Sequence, residues 1–116
     1  MVIDRTKKLA ARFYELPSGR KPVRDWLMDL TKEDRAIIGK DVQKAEFGWP
    51  IGLPSCRPMG SGLYEIRSDI TGNRIARILF CIVAGEMVLL HGFVKKTRAT
   101  PQSELDLAHK RRKEVI

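Results

Sequence analysis

Cationic side chains on strand-like segments are the residues in this sequence whose types and spacing could do chemistry. Arg67 and Arg77 lie in two consecutive segments of this kind, and Lys96 ends a third. Side chains alternate between the two faces of a strand, so neighbouring strands can gather these three cations into one concave patch. Such a patch suits a phosphodiester, because arginine binds phosphate through two parallel hydrogen bonds and lysine acts as a point charge.

The spacing alone also admits a plainer interpretation. Arg77 lies in a mostly apolar segment and cannot be buried at low cost without a partner, so we expect it to face either an open groove or a carboxylate. Spacing favours a solvated basic face with local ion pairs, such as Arg67 with Asp69, over a focused site.

Other catalytic arrangements find no support in the sequence. It contains no GxSxG motif, no Ser/His/Asp pattern and no glycine-rich loop that opens a helix. His91 and His109 are too few for a metal site, and there is no CxxC motif. Cys56 and Cys81 do not make a disulfide framework, and Cys81 is expected to be a buried, inert thiol. We therefore predict no metal and no cofactor.

The elements that must position these cations follow from the patterns of apolar residues and turn residues. We predict one domain over residues 1–116, an α+β fold in the order β-α-α-β-β-β-α with a small curved antiparallel sheet. Strands are predicted at 10–16, 63–68, 74–83 and 87–96, with an irregular connection at 51–62. Three helices are predicted: one begins at Pro22, and the second follows an N-cap at Thr31. The third follows an N-cap at Thr100 and has Pro101 at its first helical position. The last two long strands should be central and covered by helices on one face.

Composition narrows the class of partner. Lys and Arg number 22 against 14 Asp and Glu, which gives a net charge of +8 on 116 residues. Nucleic acid is the commonest polyanion that binds to a surface with such an excess of positive charge. The apolar runs are too short to span a bilayer, and residues 1–12 do not resemble a signal peptide. We expect a cytoplasmic protein with no membrane partner.

Several segments together resemble a known family. They are GLYEIR at 62–67, RILF at 77–80, LLHGFVKKT at 89–97 and the Thr100-Pro101 pair before a basic helix. These segments are similar to the RelE/HigB toxins of type II toxin–antitoxin systems, and most closely to the phage-derived HigB-like branch. The resemblance covers almost the whole chain. It implies a RelE-like fold and an endoribonuclease that cuts mRNA on the ribosome without a metal, inhibiting translation, with a helix-turn-helix antitoxin of the HigA type as partner.

The resemblance also implies roles for individual residues. Arg67 takes the position of a strand cation, Arg77 that of the central phosphate clamp, and Lys96 that of a basic residue at the end of the last strand. Further RNA contacts are expected from Arg57, Arg74, Lys95 and Arg98.

The chain departs from several relatives in two ways. Glu65 stands where they have a second lysine, and no tyrosine stands early in the last helix, around Gln102. Two residues are therefore candidates for proton transfer. Glu65 shares a strand face with Arg67, and His91 carries an imidazole, a group that ordinarily changes charge near neutral pH. The alternatives to cleavage are a basic protein that inhibits by binding RNA or the ribosome, and a module whose basic face docks an acidic antitoxin.

Overall fold

The computed structural model describes residues 7–50, 52, 56–95 and 99–116. Within them the elements are β1 (Ala10–Phe13), α1 (Pro22–Asp29), α2 (Lys32–Gly48), β2 (Cys56–Gly60), β3 (Leu63–Ile70), β4 (Arg74–Val83), β5 (Glu86–Lys95) and α3 (Gln102–Val115). The α+β class and the order of the predicted elements are confirmed, with one strand added. None of the described helices is long and apolar enough to cross a membrane.

Over the residues that the structure describes, the sheet has five strands in the order β1-β5-β4-β3-β2. Strands β2 to β5 pair antiparallel, but β1 runs parallel to β5, with Ala10 opposite Glu86. The prediction of a purely antiparallel sheet was therefore wrong at this edge. A strand of four residues carries no pattern that fixes its direction, and the two helices after it give the chain room to return in the parallel sense.

The added strand is β2, which lies inside the segment predicted to be irregular. It forms the other edge of the sheet and pairs with β3, with a register shift between Pro58 and Gly60. Proline has no N–H to give to a ladder, so a strand containing it is tolerated at an edge. Because this proline and the glycines around it are typical of irregular connections, the sequence pattern did not indicate a strand here.

Helices cover both faces of the sheet. Helices α1 and α2 pack on the face that carries Ile66, Ile78 and Phe80. Helix α3 packs on the opposite face against Leu79, Leu90 and their neighbours. The long strands β4 and β5 are interior, as predicted, but they are covered on both faces rather than one. This second layer places α3 directly over the face that holds the candidate site.

Side-chain hydrogen bonds determine which residues cap the starts of α2 and α3. Thr31 caps α2 as predicted, since its hydroxyl oxygen accepts a hydrogen bond from the Asp34 amide at 3.1 Å. Helix α3 begins at Gln102, one residue later than predicted, and Pro101 is its N-cap. Thr100 is not the cap, because its hydroxyl donates instead to a buried carboxylate on β3.

Candidate functional site

The register of the sheet places the predicted site residues on its α3-facing side. Arg57 lies opposite Glu65, and Arg67 lies opposite Arg77. Paired residues in an antiparallel ladder point to the same face, so these four belong to one surface. Strand β5 adds His91, Phe93 and Lys95 to that face, because they pair with Leu79, Arg77 and Ile75. The predicted common side of His91, Phe93 and Lys95 is confirmed.

Glu65 is the centre of a charged cluster on this surface, which we call the Glu65 cluster (Arg57, Glu65, Arg77 and Thr100). Its Oε1 accepts hydrogen bonds from the guanidinium groups of Arg77 at 2.7 Å and Arg57 at 3.1 Å. Its Oε2 accepts a hydrogen bond from the Thr100 hydroxyl at 2.5 Å. Two cations thus surround one carboxylate, and the cluster keeps a net positive charge.

Burial divides the arginines into an inner one and two outer ones. The side chains of Arg77 and Glu65 are only 2% and 1% exposed. Of the two surroundings expected for Arg77, the structure has the carboxylate and not the open groove. The side chains of Arg57 and Arg67 are 38% and 44% exposed, so a ligand can reach these two from solvent.

Arg67 has the local partner that the plainer interpretation anticipated. Its guanidinium lies 3.7 Å from the Asp69 carboxylate, and the Asp69 side chain is 83% exposed. Exposed pairs of this kind contribute about 0–1 kcal/mol to stability, so the contact can give way to a stronger anion such as phosphate.

Arg74 does not join the cluster. It pairs with Ile70 at the end of β3, on the face covered by α2. Its guanidinium lies 2.6 Å from the buried Asp34 carboxylate and also donates to the Thr71 carbonyl oxygen. Hydrogen bonds from Thr71, first of all from its backbone N–H, hold the pKa of Asp34 below its usual value, against the effect of burial. The structure therefore gives Arg74 a partner in the fold and separates it from the predicted RNA-binding group.

His91 is tied to α3 rather than to the Glu65 cluster. Its Nε2 lies 2.5 Å from a carboxylate oxygen of Glu104, and its ring stacks on Phe93 with centroids 5.5 Å apart. The His91 side chain is 16% exposed. A carboxylate on one ring nitrogen fixes the orientation of an imidazole, which is a common arrangement for proton transfer. Glu104 was not identified from the sequence, although its place in the first turn of a basic helix was visible.

Other expected participants lie elsewhere. Lys96 and Arg98 lie outside the described residues. The two tyrosines do not replace the one missing from the start of α3, because Tyr14 donates a hydrogen bond to Glu114 near the end of α3 and Tyr64 lies on the α2 side of the sheet. Carboxylate Glu114 raises the pKa of Tyr14.

Neither cysteine is suited to act as a nucleophile. Both are buried free thiols, and desolvation raises their pKa values, that of Cys56 to about 11. A neutral thiol is a poor nucleophile and a poor metal ligand. The interpretation of Cys81 as a buried thiol is confirmed. Within the part of the chain that the structure describes, no three His, Cys, Asp or Glu side chains come close enough together to hold a metal ion.

A comparison with known protein families gives a match. Residues 25–113, which are most of the chain, match the family model described as phage derived protein Gp49-like (DUF891). That family is associated with RelE-like toxins of toxin–antitoxin systems. None of the curated proteins matches the chain. The matched range includes all the residues of the Glu65 cluster, together with Arg67, His91 and Glu104.

Proposed function

Because this chain belongs to the Gp49-like family of phage-derived proteins, we propose that it is the toxin of a type II toxin–antitoxin system. In this proposal it is a HigB-like, RelE-like endoribonuclease of the cytoplasm that cuts mRNA on the ribosome and so inhibits translation. Its partner is an antitoxin with a helix-turn-helix domain of the HigA type. No metal or other cofactor takes part.

The observation that carries the proposal is the Glu65 cluster beside Arg67 on a strongly basic chain. In the reaction, the 2′-hydroxyl of RNA attacks the adjacent phosphorus and the 5′-oxygen of the next nucleotide leaves, which produces a cyclic phosphate and a 5′-hydroxyl. Arg57 and Arg67 hold the phosphate and stabilise the charge that develops on it. Arg77 acts through Glu65, which it holds in place beside Arg57. Lys95 adds positive charge on the same face, and Lys96 and Arg98 stay predicted contacts.

The contacts favour His91 over Glu65 as the group that moves protons. Both carboxylate oxygens of Glu65 already accept hydrogen bonds from cluster members. A proton taken up by either oxygen would compete with these hydrogen bonds. His91 has a carboxylate partner in Glu104 and is partly exposed. We propose that His91 takes the proton of the 2′-hydroxyl, or returns one to the leaving oxygen.

A second candidate function is inhibition by binding RNA or the ribosome without cleavage. Two observations favour it: the start of α3 has no tyrosine, and the central arginine of the cluster is covered. A module that only docks an acidic antitoxin is the third candidate.

Controlled expression in bacteria tests the proposal. We expect translation and growth to stop when the protein is induced alone and to resume when the antitoxin is expressed with it. Arg67→Ala should lower the cleavage rate by about 10²–10³, the effect of losing one charge-directed contact. Lys113→Ala, an exposed change on α3 far along the basic tail, is the matched control and should have a much smaller effect. Equal effects of the two changes would mean that the basic residues only attract RNA in general.

Chelation tests the metal-independent step. Cleavage of a minimal RNA, or of mRNA on ribosomes that already hold their magnesium, should persist in EDTA, because a reaction run by guanidinium and imidazole groups needs no metal. Cleavage that disappears on chelation and returns with added manganese or zinc would contradict this part of the proposal.

A further inference from the structure

A second concave site lies at the β2 edge of the sheet, next to the Glu65 cluster but on the side facing α2. It is a pocket of about 510 Å³ lined by Trp49, Pro50, Gly52, Cys56, Arg57, Pro58 and Tyr64. This volume lies within the range of roughly 300–1,000 Å³ that is usual for small-molecule sites. Its walls are aromatic and apolar, with one cation, Arg57, and the function proposed above uses none of the other wall residues.

Contacts with each other and with a buried ring hold the aromatic walls of this edge pocket in place. The ring of Trp49 stands edge-on to Tyr64, with centroids 5.0 Å apart, and edge-on to Phe80 at 5.6 Å. Tyr64 in turn stacks on Phe80, which is fully buried. Rings fixed in this way lose little freedom when a ligand binds, so the pocket is preorganised for a flat partner.

Arg57 joins the edge pocket to the Glu65 cluster. This residue lines the pocket, and its side chain lies on the α3-facing side of the same edge strand, where its Nε donates to Glu65. A ligand that places a flat ring against the pocket-lining sides of Trp49 and Tyr64 and an anionic group on Arg57 would match the aromatic walls and the cation of the site. A nucleotide of single-stranded RNA has this combination, because every base offers a face for stacking and carries a phosphate beside it.

We propose that the edge pocket is a nucleobase subsite, which takes one base of single-stranded RNA while Arg57 contacts the phosphate of that nucleotide. This inference rests on the proposed function in that RNA is the ligand. The pocket is a binding site and not a second catalytic site, because the Cys56 side chain in its wall is a buried neutral thiol. Its contribution to the toxin would be to select and anchor a base near the scissile phosphate.

The probe is an oligoadenylate made of 2′-O-methyl nucleotides, which has no free 2′-hydroxyl and therefore cannot be cut by the proposed reaction. Binding is followed by fluorescence in a Trp26→Phe background, where Trp49 is the remaining tryptophan. We expect quenching of Trp49 by this probe and none by an abasic oligomer of equal length and charge. In the unaltered protein, the indole N–H signal of Trp49 should shift in an NMR titration and that of Trp26 should stay in place.

Two glycine substitutions provide a matched pair. A Cβ built at either Gly52 or Gly39 meets no atom within 4 Å, so both positions accept a side chain. Gly52→Leu places bulk at the edge pocket and should weaken probe binding roughly tenfold, a typical value for losing one stacked base. Gly39→Leu places the same bulk at a separate groove beside α2 and should leave binding unchanged.

The outcomes separate this inference from the proposed function. Equal quenching by the abasic oligomer, or equal binding by the Gly52→Leu and Gly39→Leu proteins, would overturn the nucleobase subsite even if the protein cuts mRNA. Base-dependent quenching of Trp49 that Gly52→Leu weakens would support the subsite even if no cleavage is found.

Discussion

Removing the buried pair Glu65–Arg77 as a unit should harm the fold far less than removing either partner alone. The two side chains are 1% and 2% exposed and lie 2.7 Å apart. Breaking such a pair on one side leaves an uncompensated buried charge, which costs about 3–5 kcal/mol, whereas replacing both partners by apolar groups of similar volume is often neutral or stabilising. We expect Glu65→Leu to lower the free energy of unfolding by about 3–5 kcal/mol. Arg77→Met should cost less, because Glu65 keeps its hydrogen bonds from Arg57 and Thr100. The double variant should recover most of the loss caused by Glu65→Leu.

The pair Arg67–Asp69 on the same strand is the control. Its charged atoms are 3.7 Å apart and its side chains are 44% and 83% exposed, so its coupling energy should stay below about 1 kcal/mol. The assay is equilibrium unfolding in urea of all the single and double variants, read as two double-mutant cycles. A coupling energy for Glu65–Arg77 no larger than that for Arg67–Asp69 would refute the reasoning. The Glu65→Leu, Arg77→Met protein should also be folded but inactive, which separates loss of the site from loss of structure.

Three further predictions concern other parts of the molecule. Gly92→Ala should lower the free energy of unfolding in urea by about 1–3 kcal/mol, because a Cβ there would lie 2.4 Å from the Trp26 ring. Gly39→Ala, where the space is open, should raise the free energy of unfolding slightly. Equal effects of the two changes would contradict this packing. The pKa of Asp34 is lower in the folded protein than its unfolded value of about 3.9, so ionised Asp34 stabilises the fold at any pH above that value. This stabilisation is lost as the pH falls through the lower folded pKa. The urea midpoint of unfolding should therefore fall less steeply with acid in Asp34→Asn than in the parent. With a pKa of about 11, Cys56 should react very slowly with iodoacetamide in native protein near pH 8 and rapidly in urea; rapid native labelling would contradict its burial.

The long antiparallel strands and the helix caps could be predicted because their signals are local. Residues 74–83 are β-branched and apolar, and Ala84 and Gly85 form the expected hairpin turn with positive φ values of 51° and 76°. Thr31 lies three residues before the amide that it caps. The strand β2 and the parallel pairing of β1 were missed because an edge strand has few apolar neighbours to impose a pattern.

The composition of the site could be predicted better than its geometry. Arg57, Glu65 and Arg77 were all identified as candidates from the sequence, and the alternation of strand residues placed Glu65 and Arg67 on one face. Their grouping around a buried carboxylate could not be predicted, because it depends on the register between β2, β3 and β4 and on α3 lying over that face. For the same reason Thr100 was interpreted as a helix cap, although its hydroxyl belongs to the Glu65 cluster.

The central claim is that the protein stops translation by cutting mRNA, and primer extension on an mRNA in a purified translation system tests it most directly. The reaction should contain ribosomes, the wild-type protein or its Arg67→Ala variant, and no other nuclease. Our account predicts new 5′ ends within the translated region in the presence of the wild-type protein, with 10²–10³ times slower formation in the presence of the variant. Loss of protein synthesis while the mRNA stays full-length would contradict cleavage and favour inhibition by binding alone.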